Sequence, residues 1–288
     1  MTLTPEQVET RRRFIGSSDA AAICGLDPYK TAADVFTEKV LDTDDITGNE
    51  AIDIGNLLEP ILVAWAGEKL DLPIGRSREC IHHDGILAAN LDGYIDCDRH
   101  IEAKTTGITE GWGDPDVPNE VPEKVLIQVH HQFYCAGTHI AYVPVLIASF
   151  GLHFRLYKVE RNAELIESVV DRCTAFWNDY VEKRIAPPDS LPSLEVAKRI
   201  RRVPNKIVTE SEVPNLNQLV REFEEAKATA ADTKKEHEAR QAALLTAIGD
   251  AEELRCESGV YTYFEQHRKE CTSKASTFRV LRPAKKPK

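Results

Sequence analysis

The order of helix-forming and strand-forming segments predicts a mixed α/β fold with a partly antiparallel sheet. Apolar residues recur at helical spacing up to about residue 72, and short alternating segments broken by turn residues follow. A further helix, a pair of strands and a last helix complete the first 186 residues. Hydrophobic residues make up 42% of the chain and charged residues 29%, which is typical of globular domains and excludes collagen-like and disordered chains.

Two helices are predicted at the start of the chain. Thr4 and Pro5 place a cap and a first-turn proline in order, so the first helix begins there. A short helix of small residues over 20–23 then ends at Gly25, because glycine readily adopts the left-handed conformation that terminates helices.

Two longer helices come next. Thr31 caps a helix over 32–41, and a second helix spans 49–70. Pro60 lies inside that second helix and predicts a kink or a restart. Its apolar stripe consists of Ile54, Leu57, Leu58, Ile61, Leu62 and Trp65.

Strands and helices alternate over the rest of the first part. The predicted elements are strands within 79–104, an irregular loop over 105–122, a helix from Pro122 to about Ala136, strands over 142–150 and 152–159, and a helix from Asn162 to about Arg184. Gly137 ends the first of these helices, and Gly151 lies in the turn between the two strands.

The organisation of the chain follows from composition. We expect a domain over 1–186, a proline-rich linker over 187–212, and an appendage over 213–288. The appendage holds a long helix or coiled-coil arm to about residue 248, then two short strands near 259–264 and 277–281. Residues 255–288 carry nine Lys/Arg and three Asp/Glu, a local charge of +6. Because the net charge of the whole chain is −11, the first 254 residues form an acidic body with a charge of about −17.

Membrane and disulfide-rich classes are not expected. No apolar run approaches the roughly 18 residues of a spanning helix, and the first residues lack the pattern of a secretion signal. The seven cysteines are odd in number and include no C-x-x-C pair, which indicates reduced thiols. We therefore expect a cytoplasmic protein with no membrane partner.

The pattern with the clearest chemical meaning is a pair of acids followed by a lysine. Asp92 precedes Glu102 by ten residues, and Lys104 follows two residues later. Alternate side chains of a strand share a face, so Glu102 and Lys104 point the same way. A turn within 94–100 brings Asp92 beside Glu102. Two such carboxylates, with the backbone carbonyl of Ala103, suit Mg²⁺.

This cluster is suited to metal-dependent phosphodiester hydrolysis. A lysine beside the metal holds or deprotonates the attacking water and stabilises charge on a phosphate. The alternative is an ordinary surface Glu–Lys pair next to an Asp-Gly turn, each of which is common by itself. Their joint occurrence in a strand–turn–strand context favours the catalytic interpretation.

Two further polar residues fit around the cluster. Glu59 lies on an otherwise apolar side of its helix, where it would bind the same metal or a second one. An acid favoured by the helix dipole is the alternative explanation. Gln128 shares a helix face with Lys124, His131 and Cys135, and it would position water or phosphate at the metal. A solvated helix face is the alternative there.

A resemblance to a known family connects these residues. The segments that carry it are Arg13-Phe-Ile-Gly-Ser-Ser18-Asp-Ala-Ala-Ala-Ile, Gly25-Leu-Asp-Pro-Tyr-Lys30-Thr, Gly55-Asn-Leu-Leu-Glu59-Pro, Leu91-Asp92-Gly-Tyr, Glu102-Ala-Lys104-Thr and Gln128-Val-His-His-Gln. Together, over about 10–185, they resemble the YqaJ-type viral recombinases, a lambda-exonuclease-like family of the PD-(D/E)XK nuclease superfamily. The resemblance implies a restriction-endonuclease-like core, with a mixed central sheet flanked by helices, and a helical C-terminal appendage.

The resemblance also implies roles for the residues of the cluster. Asp92 and Glu102 would bind catalytic Mg²⁺, for which Mn²⁺ would substitute, and Lys104 would orient and activate the water. Glu59 would support the metal site and Gln128 would complete it.

A second set of residues is implied to contact the DNA end. Arg13 and Ser18 would bind the 5′-phosphate, for which a guanidinium and a hydroxyl are suited, and Lys30 is a weaker candidate. Trp112, in the loop after Lys104, would stack on a base or wedge the DNA end, or would instead anchor the loop on the sheet.

Relatives of this kind digest linear duplex DNA from the 5′ end as ring-shaped homo-oligomers, often trimers. They leave a 3′ single strand for an annealing protein. We therefore expect a 5′→3′ exodeoxyribonuclease that acts in phage or prophage recombination in a bacterial cytoplasm. Two alternatives stay open: a structure-selective or restriction-like endonuclease of the same fold, and a non-catalytic DNA-binding or assembly module. The sequence also leaves open whether the appendage clamps DNA, oligomerises or docks a partner.

Overall fold

The computed structural model describes residues 9–44, 49–75, 80–83, 85–188 and 190–262. The chain divides into two compact units, Met1–Arg201 and Arg202–Lys288. The expected helix start at Thr4, the strand at 277–281 and the basic end of the chain lie outside the described residues.

The first unit has the predicted mixed α/β architecture. In chain order it contains β1 (Ile15–Gly16), α1 (Ser17–Ile23), α2 (Ala32–Val40), α3 (Glu50–Leu70), β2 (Ile81–His83), β3 (Leu87–Ala89), β4 (Gly93–Tyr94), β5 (Arg99–Ile101), β6 (Lys104–Thr106), α4 (Glu123–Ala136), β7 (Ile140–Ala148), β8 (Leu152–Glu160), α5 (Ala163–Phe176) and α6 (Leu194–Arg199). A π-helical turn, Trp177–Val181, continues α5.

The residues predicted to begin and end helices do so in the structure. Thr31 caps α2 by accepting the backbone N–H of Asp34, whose carboxylate accepts the N–H of Thr31 in return. Gly25, at φ +76°, follows the end of α1, and Gly137, at φ +72°, ends α4.

Helix α3 differs from expectation in two ways. It runs without a restart from Glu50 to Leu70 with Pro60 inside it. Its predicted apolar stripe also faces outward along much of its length: Ile54 is 43% exposed, Leu57 69% and Ile61 52%. Of the predicted stripe the helix fully buries only Leu62, together with Val63 and Ala66, which lay outside the stripe.

The main sheet positions the candidate site. Strand β7 pairs with β5 and β6 in parallel and with β8 antiparallel, while β4 pairs antiparallel with β5. A smaller sheet has the order β1-β3-β2. Strands β5 and β6 follow one another along the same edge of β7 with no slip in register, and Glu102 and Ala103 separate them. The backbone N–H of Glu102 still donates to the carbonyl of Tyr142.

Helix α4 packs into two parts of the core at once. Val125, Val129 and Phe133 lie against the inner residues of β7 and β8. Ile127 and Cys135 lie instead in a cluster with α1, α2 and α5. Residues on both sides of this helix are therefore buried, and they include the polar side chains of His130, His131 and Gln132.

A buried histidine on α4 makes the fold sensitive to acid. His131 is fully buried, with the Ser17 Oγ 3.0 Å from its Nδ1, and burial lowers its pKa to about 4 from an ordinary 6.5. The unfolded chain therefore takes up this proton at a higher pH than the folded chain does. We expect the free energy of unfolding to fall as pH drops from 6.5 towards 4, by up to about 1.4 kcal/mol per pH unit.

Urea unfolding at several pH values in that range measures this loss. The variant His131→Gln should show a shallower dependence on pH than the original protein. An unchanged slope would show that His131 does not carry the effect. His100, whose pKa burial also lowers to about 4, contributes the slope that is left in the variant.

The stretch expected as a linker begins inside the first unit. The Ser190 hydroxyl accepts the backbone N–H of Ala33 at 3.1 Å, and the backbone N–H of Ser193 donates to Asp34 at 2.6 Å. Helix α6 follows, and Arg199 pairs with Glu38 on α2. The boundary in the structure thus falls at 201/202, later than the predicted end of the first domain at 186.

Within the described residues of the second unit, 202–262, one long helix is the main element. Helix α7 (Leu216–Ile248) contains 33 residues, of which none is buried, and a hairpin of β9 (Glu253–Cys256) and β10 (Gly259–Thr262) follows. The helical C-terminal region expected from the sequence is confirmed. Among the helices of the described residues, none has the length and apolar character that spanning a bilayer requires.

Candidate active site

The gap between β5 and β6 brings the predicted acids together. Gly93 pairs with Ile101 in the β4–β5 hairpin, so Asp92 lies next to Glu102. The Asp92 Oδ2 accepts the backbone N–H of Ala103 at 2.8 Å. A carboxylate side chain thus takes a backbone donor at the break between the strands, and this bond holds Asp92 beside Glu102.

Lys104 and Gln128 meet at one oxygen of Glu102. The Lys104 Nζ donates to Glu102 Oε1 at 2.5 Å, and the Gln128 Nε2 donates to the same oxygen at 2.6 Å. Lys104 also donates to the Gln128 Oε1 at 2.9 Å. Glu102 is buried, whereas Lys104 and Gln128 are half-buried. Three residues singled out from the sequence therefore form one closed hydrogen-bonded group.

The electrostatics of this group favour a bound cation. Burial and the charges of Glu102 and Glu59 raise the pKa of Asp92 well above its ordinary value. Negative charge is thus crowded around Asp92, and the ammonium of Lys104 offsets only part of it. Burial by itself would lower the pKa of Lys104, but its ion pair with Glu102 and the nearby acids raise it. Lys104 is therefore a cation that donates hydrogen bonds.

The oxygen atoms present fit a hard divalent ion. Asp92, Glu102 and the backbone carbonyl of Ala103 are the types of donor that Mg²⁺ and Mn²⁺ accept, and the crowded charge at Asp92 supplies the attraction. Glu59 is near enough for its charge to act on Asp92. Within the part of the chain that the structure describes, however, no three His, Cys, Asp or Glu side chains form a ready-made metal site. The donors that these residues offer are two carboxylates and a carbonyl, and the role of Glu59 in supporting the metal stays a prediction.

Two buried residues that the sequence analysis assigned no role also belong to the site. Gln132 lies one turn beyond Gln128 on α4, and its Nε2 donates to Glu102 Oε2 at 2.6 Å. His100, two residues before Glu102, contacts Gln132 in turn at 3.1 Å. Two signals pointed to Gln132: it ends the Gln128-Val-His-His-Gln segment of the family resemblance, and its four-residue spacing from Gln128 places the two side chains on the same helix face.

The residues expected at the DNA end differ in their exposure to solvent and in their ion-pair partners. Arg13 has a side chain that is 77% exposed and lies 3.9 Å from Glu9, and Ser18 is exposed. Lys30 is instead held by two carboxylates, at 2.7 Å from Asp19 and 2.6 Å from Glu38. Arg13 and Ser18 are therefore available to a ligand, whereas the ammonium of Lys30 already has partners.

Trp112 packs in the way expected of a loop anchor. Its ring centroid lies 5.0 Å from that of Tyr157, and it packs against the hydrophobic cluster between α4 and the main sheet. The Tyr157 hydroxyl donates to the carbonyl of Gly113 at 3.1 Å, which fixes the same loop. Of the two alternatives for Trp112, the packing role is the one that these contacts describe.

Comparisons with known proteins show what this chain is similar to. Residues 6–139 match the model of the YqaJ-like viral recombinase domain. The chain is 27% identical over 241 residues to the uncharacterized protein YqaJ of Bacillus subtilis (strain 168), with 74% of each chain covered. These matches confirm the likeness to YqaJ-like viral recombinases that the motifs predict.

Solved structures similar to this chain include two exonucleases. LHK-Exo, an alkaline exonuclease from Laribacter hongkongensis, in complex with dAMP has a TM-score of 0.49 at 19% identity, covering 63% of this chain and 94% of that one. A phage related exonuclease from Haemophilus somnus 129PT has a TM-score of 0.48 at 16% identity, covering 59% of this chain and 95% of that one.

Proposed function

We propose that this chain, whose residues 6–139 match the model of the YqaJ-like viral recombinase domain, is a Mg²⁺-dependent exodeoxyribonuclease that degrades linear duplex DNA in the 5′→3′ direction. The observation that carries the proposal is the convergence of Asp92, Glu102, Lys104 and Gln128 at the break between two strands. Lys104 offsets only part of the charge of the two acids, and crowded buried charge is costly, so a purely structural role does not account for the arrangement at Asp92.

The chemistry is divided between the metal and the chain. When bound, Mg²⁺ polarises a phosphate oxygen and lowers the pKa of the attacking water. Asp92, Glu102 and the Ala103 carbonyl would hold it, with Mn²⁺ as a substitute. The Lys104 ammonium then donates to the water or to a phosphate oxygen and stabilises the charge that develops there. Gln128 keeps Lys104 in place through its own bond to the ammonium.

The preference for DNA ends is assigned to exposed groups. Arg13 and Ser18 would bind the terminal 5′-phosphate through charge-assisted hydrogen bonds. Degradation of one strand leaves a 3′ single strand, which a single-strand annealing protein would take up during phage-type recombination in a bacterial cytoplasm. The description of the matched family as a viral recombinase domain supports this setting.

One cleavage experiment tests the proposal. The substrate is a linear duplex with a 5′-phosphate on one end and a 5′-hydroxyl on the other, and a closed circle of the same sequence accompanies it. With Mg²⁺, we expect loss of the strand that carries the 5′-phosphate, an intact circle, and no cleavage with a chelator. Lys104→Ala should lose at least about 100-fold in rate, because it removes the charge placed at the reacting phosphate.

A control variant and two contrary results complete the cleavage experiment. Lys158→Ala removes a surface lysine that pairs with Glu160 and should cleave like the original protein. Cleavage of the circle would assign the protein to the endonucleases. Bound but uncleaved DNA with every divalent ion would assign it to the non-catalytic DNA-binding proteins.

The exposed stripe on α3 supports a homo-oligomer, and we propose the trimeric ring that the family resemblance implies. Leu57, at 69% exposure, lies between Ile54 and Ile61 on this stripe, and a second copy of the chain would cover it. Leu57→Asp should therefore shift the mass measured by light scattering from an oligomer towards the monomer. Ala175→Asp, on the exposed side of α5, serves as the matched control and should leave the mass unchanged. A monomeric original protein would contradict the proposal.

A further inference from the structure

A buried chain of hydrogen bonds lies behind Glu102. The Gln132 Nε2 donates to Glu102 Oε2 at 2.6 Å, and the Gln132 Oε1 lies 3.1 Å from the His100 Nε2. The His100 Nδ1 in turn lies 2.8 Å from the Thr138 Oγ1. His100 and Gln132 are fully buried, and Thr138 is buried at 4% exposure. The chain thus leads from the protein interior to the oxygen of Glu102 that Lys104 and Gln128 do not contact.

The direction of each hydrogen bond follows from the available acceptors. Glu102 offers a carboxylate, and the Gln132 Nε2 also reaches the backbone carbonyl of Asn90 at 3.3 Å. Both acceptors require the amide nitrogen, so the amide oxygen of Gln132 faces His100. His100 therefore carries its hydrogen on Nε2 and accepts the Thr138 hydroxyl at Nδ1. Every donor in the chain points towards Glu102.

Gln132 also joins the two acidic segments of the site. Asn90 lies two residues before Asp92, the first acid of the site. Glu102, the second acid, lies opposite Asp92 in the β4–β5 hairpin. One amide group on α4 therefore holds the backbone near the first acid and the side chain of the second. A glutamate side chain has three torsions, and the bonds from Lys104 and Gln128 reach only Oε1. The contact at Oε2 therefore adds the second point that fixes the last torsion of Glu102.

We propose that Gln132, His100 and Thr138 form a positioning relay, which fixes the plane of the Glu102 carboxylate and thereby sets the affinity of the site for its divalent ion. The inference rests on the proposed function. The aligned dipoles strengthen one another in the buried interior and stabilise the charged carboxylate. Partners one step behind a metal ligand commonly account for 10- to 100-fold in metal affinity or activity, and this relay occupies that position.

The test measures metal affinity apart from catalysis. Binding of Mn²⁺ is followed by the loss of the free-ion electron paramagnetic resonance signal, without DNA. Cleavage of the linear duplex is measured separately across Mg²⁺ concentrations. Gln132→Leu should raise both the Kd for Mn²⁺ and the Mg²⁺ concentration for half-maximal rate by about 10- to 100-fold. His100→Gln, which keeps a donor for Gln132, should stay close to the original protein, whereas His100→Leu should resemble Gln132→Leu.

A matched control separates positioning from general packing. His130 is a buried neighbour on α4 that accepts the backbone N–H of Asn162 and makes no contact with Glu102 among its described bonds. His130→Gln should lower the melting temperature without changing the affinity for Mn²⁺. Unchanged affinity in Gln132→Leu would overturn the relay even if the protein cleaves DNA. If the original protein binds Mn²⁺ but cleaves no DNA, the proposed function is overturned. The relay is then judged only by the Mn²⁺ affinities of the variants.

A milder variant covers the case in which Gln132→Leu does not fold. Thr138→Val keeps the shape of the side chain and removes only the hydroxyl at the far end of the relay. It should weaken Mn²⁺ binding in the same direction by a smaller factor, and unchanged binding would contradict the relay. Where both variants fold, Thr138→Val should add nothing in the Gln132→Leu background, because residues that act through one chain are not additive.

Discussion

Replacing Asp92 with asparagine is expected to abolish DNA cleavage and to raise the melting temperature of the metal-free protein. The pKa of Asp92 is raised in the folded state by burial and by the charges of Glu102 and Glu59. A group with a folded pKa above its unfolded value destabilises the fold once the pH exceeds both. Asparagine removes that cost, while its side-chain oxygen can still accept the backbone N–H of Ala103.

Calorimetry in a chelator near neutral pH measures the effect. We expect a rise of a few degrees, since about 1 kcal/mol corresponds to ~2–4 °C in a domain of this size. Added Mg²⁺ should stabilise the original protein by mass action and leave Asp92→Asn unchanged. Asp116→Asn, in the exposed loop after β6, makes the same charge change away from the site and should show neither effect. A lower melting temperature for Asp92→Asn would contradict the repulsion argued from the structure.

The second large effect is expected at Asp19, which is the centre of a buried ion-pair group. Its carboxylate lies 2.7 Å from the Nζ of both Lys30 and Lys39 and accepts the backbone N–H of Gly16 at 3.3 Å. The side chain of Lys39 is only 6% exposed. Asp19→Asn leaves that ammonium buried without an opposing charge, so we expect a loss of about 3–5 kcal/mol in the free energy of unfolding.

Urea unfolding with a matched exposed pair tests this prediction. Asp179→Asn breaks an ion pair with Lys183 in which both side chains are more than half exposed, and it should cost at most about 1 kcal/mol. Equal losses in the two variants would show that the Asp19 group is not specially dependent on its charge balance. The two lysines also hold the pKa of Asp19 far below its ordinary value, so the stability it supplies persists above its unfolded pKa of 3.8 and is lost only on acidification below that.

The local geometry of the site could be predicted from short-range rules. The period of two along a strand places Glu102 and Lys104 on one face, and a hairpin turn brings Asp92 alongside. Both statements depend only on residues close in sequence, and the structure has the hairpin register they require. The helix caps at Thr31 and Gly137 were predictable for the same reason.

The parts of the site and the fold that could not be predicted depend on which face of each helix packs against the sheet. Helical spacing shows that Gln128 and Gln132 share a face, but only the packed structure shows that both reach Glu102. The same limit explains α3, where the apolar stripe around Leu57 is real but lies away from the core. Pro60 does not restart this helix, since the carbonyl that loses its partner belongs to exposed Asn56 and can be hydrated.

The continuous register of β5 and β6 along β7 has a consequence for insertions and deletions in this chain. Strand pairing on both sides of the gap fixes the distance from Glu102 to Lys104, so adding or removing one residue there would turn Lys104 to the opposite face. The turn at 96–97, at the tip of the β4–β5 hairpin, carries no such constraint, because extra residues there leave the paired strands and the backbone bonds of Asp98 in place. The spacing between the two acids is therefore adjustable in length, whereas the spacing between acid and lysine is not.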